Sequence, residues 1–265
     1  MSSPFPQQPP QAASAPAGSP IPARSVPAGR GASWWGEAWR MFTPAVGIWL
    51  VITVILIVIS LVMSLIPIVG NLAGQVLYPV FAGGLMLGCR AIDRGEPLTL
   101  NHLFAGFSQR AGPLFVVGLL YPGIAIAIGA TVIGIVLVLF GAAMFTALFT
   151  SADAFTSPAV LGGALMAITV ASLLFLILFM PLVMAIWFAP ALIVLRGREP
   201  WAAMKESFSG CLQNVVPFLL YGLIGIGLAI VATIPLALGW FVLAPLTIAS
   251  IYTSYCDIFE STAVS

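Results

Sequence analysis

Residues 112–149 and 158–195 are two equally long runs without a charged side chain, and they constrain the fold more than any other feature. A helix rises about 1.5 Å per residue, so either run would reach about 57 Å if straight, whereas crossing about 30 Å of hydrocarbon needs only about 20 apolar residues. Four further apolar stretches have ordinary spanning length: residues 44–66, 72–92, 216–234 and 239–256. In hydrocarbon every backbone donor and acceptor must be satisfied within the fold, which leaves helices or a closed barrel. A barrel needs ten-residue segments of alternating polar and apolar side chains, and these runs do not alternate. The chain is 61% hydrophobic and 6% charged, where soluble domains carry about 25% charged residues. It is read as an all-α polytopic membrane protein, a six-helix transmembrane bundle.

Counting each long run as one helix gives six spans. Splitting both gives eight, but neither run has a polar turn at its middle, and a split leaves no residues for a loop. Kinks are expected near Tyr121-Pro122-Gly123 and near Pro181. The turn at residues 150–157 would then stand well outside the bilayer.

A repeat runs through the chain. Residues 78–97 (YPVFAGGLMLGCRAIDRGEP) and 180–200 (MPLVMAIWFAPALIVLRGREP) share an apolar body opened by proline and closed by arginines and Glu-Pro. Residues 244–260 (APLTIASIYTSYCDIFE) form a degraded third copy in which acids replace the basic close. Aligning Trp35 with Trp201 brings Phe42 to Phe208, Ile66-Pro67 nearly to Ile234-Pro235, and Pro79 near Pro245. Repeated architecture follows.

Each unit opens with a short segment of helical spacing: Trp35, Trp39 and Phe42; Leu100, Leu103 and Phe107 behind Thr99 as a cap; Trp201, Met204 and Phe208 behind Pro200. Polar residues take the other face: Glu37 and Arg40; Asn101 and Gln109; Lys205 and Glu206. This is the pattern of short amphipathic helices lying in the interface plane with aromatics among the headgroups. The domain reading is therefore a Pro/Ala/Ser-rich tail at residues 1–32, too poor in apolar side chains to order itself, then one transmembrane domain at 33–260 with units 33–97, 98–200 and 201–260. The tail lacks the basic start and apolar core of a signal peptide.

All nine basic residues (Arg24, Arg30, Arg40, Arg90, Arg94, Arg110, Arg196, Arg198 and Lys205) precede the first span or follow the second or fourth. In six spans these segments share one side, and the opposite loops carry only Asp153. The positive-inside rule makes the shared side cytoplasmic, with both termini inside.

Chemistry is not legible. Ionisable residues inside spans mark function, and none lies well inside one. Arg90 and Asp93, near the end of the second span, read as an i, i+3 pair. His102 is the single histidine and has no cysteine or carboxylate partners at metal-binding spacing. Cys89, Cys211 and Cys256 read as small buried hydrophobes. Gly70-x-x-x-Gly74 and Gly84-x-x-x-Gly88 read as close helix packing within one chain. Pro79, Pro181 and Pro245 occupy corresponding places, either as simple kinks or as the broken helices of a transporter site. No catalytic, cofactor-binding or metal-binding residue is assigned, and no cofactor is expected.

The residues Pro27-Ala-Gly-Arg-Gly31 with Trp34-Trp35, then GGLMLGCR at 83–90, HLFAGF at 102–107 and WFAPA at 187–191, resemble an uncharacterised family of proteobacterial integral membrane proteins. That resemblance covers nearly everything after residue 26 and implies a bacterial inner-membrane location, without an activity. More distantly, the repeated plan is similar to the membrane domain of glycerophosphodiester phosphodiesterases, whose catalytic domain is not present here. The expected function is a non-enzymatic membrane component organising lipids or partner proteins; the alternative is a permease or flippase for an apolar or amphiphilic small molecule. Membrane lipids and other membrane proteins are the expected partners, and nucleic acid is not.

Overall fold

The computed structural model describes residues 22–150 and 158–260. Among the described residues every regular element is helical. In order these are α1 (Arg30–Phe42), a 3-10 turn (Thr43–Ala45), α2 (Val46–Ser64), α3 (Val69–Asp93), α4 (Leu100–Gln109) and α5 (Ala111–Thr150). They continue as α6 (Pro158–Trp187), α7 (Ala189–Arg196), α8 (Pro200–Gln213), α9 (Val215–Thr233) and α10 (Trp240–Phe259). Six segments are long and apolar enough to cross a membrane: those containing α2, α3, α5, α6 with α7, α9 and α10. α5 is one helix of 40 residues, so the long run is a single overlong span and the six-span reading stands. Asp153 and residues 1–21 of the tail lie outside the described residues.

The three units form a ring. The short helix α4 packs most extensively on α3, the last span of the unit before it, and α8 packs likewise on α6. α1 packs most extensively on α10, which closes the ring from the third unit back to the first. Small residues permit this contact. A Cβ on Gly84 would sit 2.4 Å from the His102 carbonyl oxygen, and one on Gly106 would sit 2.1 Å from the Val80 carbonyl oxygen, so α3 and α4 touch backbone to backbone. The Gly84-x-x-x-Gly88 pattern therefore serves packing inside the chain.

The repeat extends to the backbone of the loops. After Pro67, Ile68 takes φ 65°, with the Val69 N–H donating to the Pro67 carbonyl at 2.8 Å. After Pro235, Leu236 and Ala237 take φ 53° and 63°, and the Leu236 N–H donates to the Ile234 carbonyl at 2.9 Å. Such angles in residues with a Cβ carry strain. At the other end of the bundle the repeated Arg-Gly close is a helix stop: Gly95 (φ 78°) and Gly197 (φ 66°) take the left-handed conformation that glycine adopts without penalty, and Pro97 and Pro200 follow.

Two expectations change, and one helix break is new. Pro181 sits inside α6, and the break after that helix falls at Phe188. Pro190, in the first turn of α7, has no N–H to give back to the preceding helix. Ser207 of α8 inserts where the Phe188-to-Met184 backbone bond would be: its hydroxyl accepts from the Phe188 N–H at 2.9 Å and donates to the Met184 carbonyl at 2.6 Å. Pro122 likewise lies within unbroken α5.

The line Trp35, Trp39 and Phe42 is not one outward face. Trp34, Ala38 and Phe42 are buried, whereas Trp39 points outward at 51% exposed. Trp35 stacks on Tyr221 at 4.8 Å and donates from Nε1 to the Tyr221 carbonyl at 3.1 Å. In the other short helices Leu103 and Met204 turn inward, while Leu100, Phe107 and Trp201 face out.

Residues 22–32, grouped by composition with the tail, are tied to the bundle, with Ala23 and Val26 against the core and Gly31 buried. The buried Asn214 side chain accepts from the Val26 N–H at 2.8 Å and donates to the Arg24 carbonyl at 2.8 Å. The Arg24 guanidinium reaches the carbonyls of Asp257 and Glu260, and α1 begins at Arg30.

Candidate functional site

The last spans of the three units, α3, α6 with α7, and α10, converge at the end of the bundle that carries the basic residues. There Arg90 is ion-paired with Glu260, and the Arg196 Nε lies 3.8 Å from the same carboxylate. Arg196 also donates to the Phe259 carbonyl at 3.1 Å. Arg90 does not pair with Asp93, as the i, i+3 spacing suggested; Asp93 instead accepts from the Tyr252 hydroxyl at 3.1 Å. A second group of charges ties α1 to α10: Asp257 accepts from Arg30 and from Trp34 Nε1, while Arg30 also donates to Glu37 at 2.8 Å. Arg198 and Glu206 pair beside these; their hydrogen bonds outweigh burial and hold the Arg198 guanidinium above its ordinary pKa. Of the acids that made the third repeat look degraded, Glu260 is the partner of arginines from the first two copies, and Asp257 is the partner of Arg30 ahead of them. A third basic close would have set like charges together in a partly dehydrated cluster.

His102 caps a helix: its Nδ1 lies 3.1 Å from both the N–H and the hydroxyl oxygen of Thr99. Cys89 and Cys211 are buried and Cys256 is half-buried; all three are free thiols.

One helical turn from the ion cluster, where the same spans draw apart, lies a half-open cavity of about 600 Å³. α2 supplies Ile59 and Met63, α3 supplies Phe81 and Met86, α7 supplies Pro190 and Ala191, and α10 supplies Ile248 and Ile251. The wall is mostly aliphatic and aromatic, the usual lining of a small-molecule site. Its polar groups are Asn71, Gln75 and Tyr78, which follow at i, i+4, i+7 on α3, with Tyr121 of α5 and the Trp187 indole of α6. The span expected from residue 72 starts earlier: α3 begins at Val69 and carries Asn71 on its first turn. Ser60 also lines the cavity, but its hydroxyl donates to the Leu56 carbonyl at 2.8 Å. No site residue was assigned from sequence, and the one signal that could have revealed this cavity was that polar i, i+4, i+7 line.

This geometry defines a polytopic, all-helical integral membrane protein with a half-open cavity among its spans. A probable inner membrane protein of Burkholderia thailandensis is 27% identical to it over 218 residues, covering 76% of this chain and 77% of the relative. No family model and no solved structure match the chain. The similarity accords with an integral membrane protein; the resemblance to the membrane domain of glycerophosphodiester phosphodiesterases finds no support in these comparisons.

Proposed function

We propose that the protein is a non-enzymatic component of the bacterial inner membrane that organises lipid by holding one lipid molecule in the cavity between α2, α3, α7 and α10. The cavity itself is the observation that carries this reading. An aliphatic hollow that communicates with hydrocarbon fills with lipid chains, since exposing such a wall to water is unfavourable. The inner-membrane location draws support from the printed name of the Burkholderia relative. The basic end is proposed to face the cytoplasm with both termini, because all nine basic residues sit on segments that share that end.

The test is photochemical. Cells grown on a photoactivatable fatty acid are irradiated, and crosslinked peptides are mapped. Crosslinks concentrated on Ile59, Met63 and Phe81 support the proposal. Crosslinks spread evenly over outward residues such as Leu219 and Leu223 overturn it.

The same cavity favours the alternative, a permease or flippase for an amphiphile, because its lining reaches from Asn71 at one end of α3 to Ala191 near the other end of the bundle. Transport needs the Arg90–Glu260 cluster below the cavity to open. Reconstituted protein that moves no fluorescent lipid between leaflets while retaining bound lipid favours the organising role.

A further inference from the structure

Building on the cavity reading, we infer that the lipid held there is a neutral amphiphile whose small headgroup is uncharged and hydrogen-bonding, with diacylglycerol as the simplest example, and not a phosphate-bearing lipid. The argument rests on what the wall supplies and what it lacks. Among the described residues that line the cavity there is no Asp, Glu, Lys, Arg or His. The nearest guanidinium on α3, Arg90, lies one turn beyond Met86 and is engaged with Glu260 and with the Leu195 carbonyl. A phosphate drawn into this space would lose its hydration without meeting a cation, which is strongly unfavourable.

The wall does supply neutral hydrogen-bonding groups. Asn71 and Gln75 each offer two N–H donors and a carbonyl acceptor, and neither side chain has a hydrogen-bond partner among the described residues. With Tyr78 they make a descending ladder. Along the helix Gln75 lies about 6 Å and Tyr78 about 10 Å further into the span than Asn71. Amide groups at such a depth are costly unless something pairs with them. A hydroxyl or ester headgroup pairs with both amides and leaves its chains against Ile59, Phe81, Leu85 and Ile248.

The experiment uses the full chain in nanodiscs of phosphatidylethanolamine and phosphatidylglycerol, doped with diacylglycerol bearing the same acyl chains, and native mass spectrometry of the released protein. The expected result is a one-to-one diacylglycerol adduct retained over phosphatidylglycerol. N71L/Q75L, at two exposed positions, is expected to lower that retention about tenfold, the loss for two hydrogen bonds, and Y78F to lower it less. Gly74→Trp, which grows into the cavity from a position with nothing within 4 Å, is expected to abolish it. Equal retention of phosphatidylglycerol, or an adduct unchanged in N71L/Q75L, overturns the headgroup inference; if G74W still removes the bound lipid, the cavity reading survives that result. If G74W leaves retention of every lipid unchanged, the cavity reading itself fails and this inference with it.

Discussion

Arg90 of the first unit and Glu260 of the third form an ion pair at the point where the last spans of all three units meet, and Arg196 of the second unit approaches the same carboxylate at 3.8 Å. One acid thus holds two arginines from corresponding ends of the repeat. Side chains in this cluster are 20% to 37% exposed, so its contribution lies between that of a surface pair and that of a buried one. Replacing Glu260 with Ala leaves two guanidinium groups facing each other and is expected to cost on the order of 2 kcal/mol. R90M/E260M is expected to recover part of that loss, because it removes one of the unpaired cations. Thermal unfolding of the detergent-solubilised protein reads both; equal stability of E260A and wild type contradicts the shared-carboxylate arrangement.

The two glycines of Gly70-x-x-x-Gly74 should behave in opposite ways. A Cβ at Gly70 would fall 1.7 Å from the Met63 carbonyl oxygen, so Gly70→Ala must push α2 and α3 apart at the turn, a loss of about 1–3 kcal/mol. Gly74 faces open space, and Gly74→Ala is expected to be neutral or to stabilise the helix by up to about 1 kcal/mol. Melting temperatures of the two variants test the contrast, and similar losses in both would contradict it.

Asn214 fastens the segment before α1. Asn214→Ala leaves the Val26 N–H and the carbonyls of Arg24 and Gly210 without their side-chain partner, a loss of about 2 kcal/mol felt first in this segment. Limited trypsin digestion is expected to cut faster after Arg24 and Arg30 in the variant while the helical bundle stays intact. Unchanged cleavage would show that the segment is held by other contacts.

The orientation makes a labelling prediction. A cysteine placed at Asp153 in a cysteine-free background is expected to react in intact spheroplasts with a thiol reagent that does not cross membranes. Labelling only after the membrane is broken would put Asp153 on the cytoplasmic side and contradict the proposed six-span topology.

The spans were legible because hydrocarbon imposes one requirement, a long apolar helix, that leaves a plain mark on the sequence. Which face of each helix turns inward was not legible, since lipid-facing and protein-facing positions are both apolar. Trp34 and Trp35 illustrate this: adjacent in sequence, one is wholly buried and the other is stacked on Tyr221. The helix break at Phe188 escaped because it depends on Ser207, nineteen residues away, as much as on Pro190. Glu260 looked like decay in the repeat until the ring brought it between Arg90 and Arg196. The cavity left only Asn71, Gln75 and Tyr78 as its trace, and its existence depends on how α2, α3, α7 and α10 are set against one another, which no local pattern encodes.

A density map of the protein in nanodiscs made from its own cell lipids tests the central claim most directly. The account predicts a continuous elongated density inside the cavity, running from beside Asn71 and Gln75 to Ala191 and enclosed by Ile59, Phe81 and Ile248. A map in which α2 closes onto α3 and α10, so that Ile59 and Met63 pack against Phe81 and Leu85 with no space between them, would contradict it.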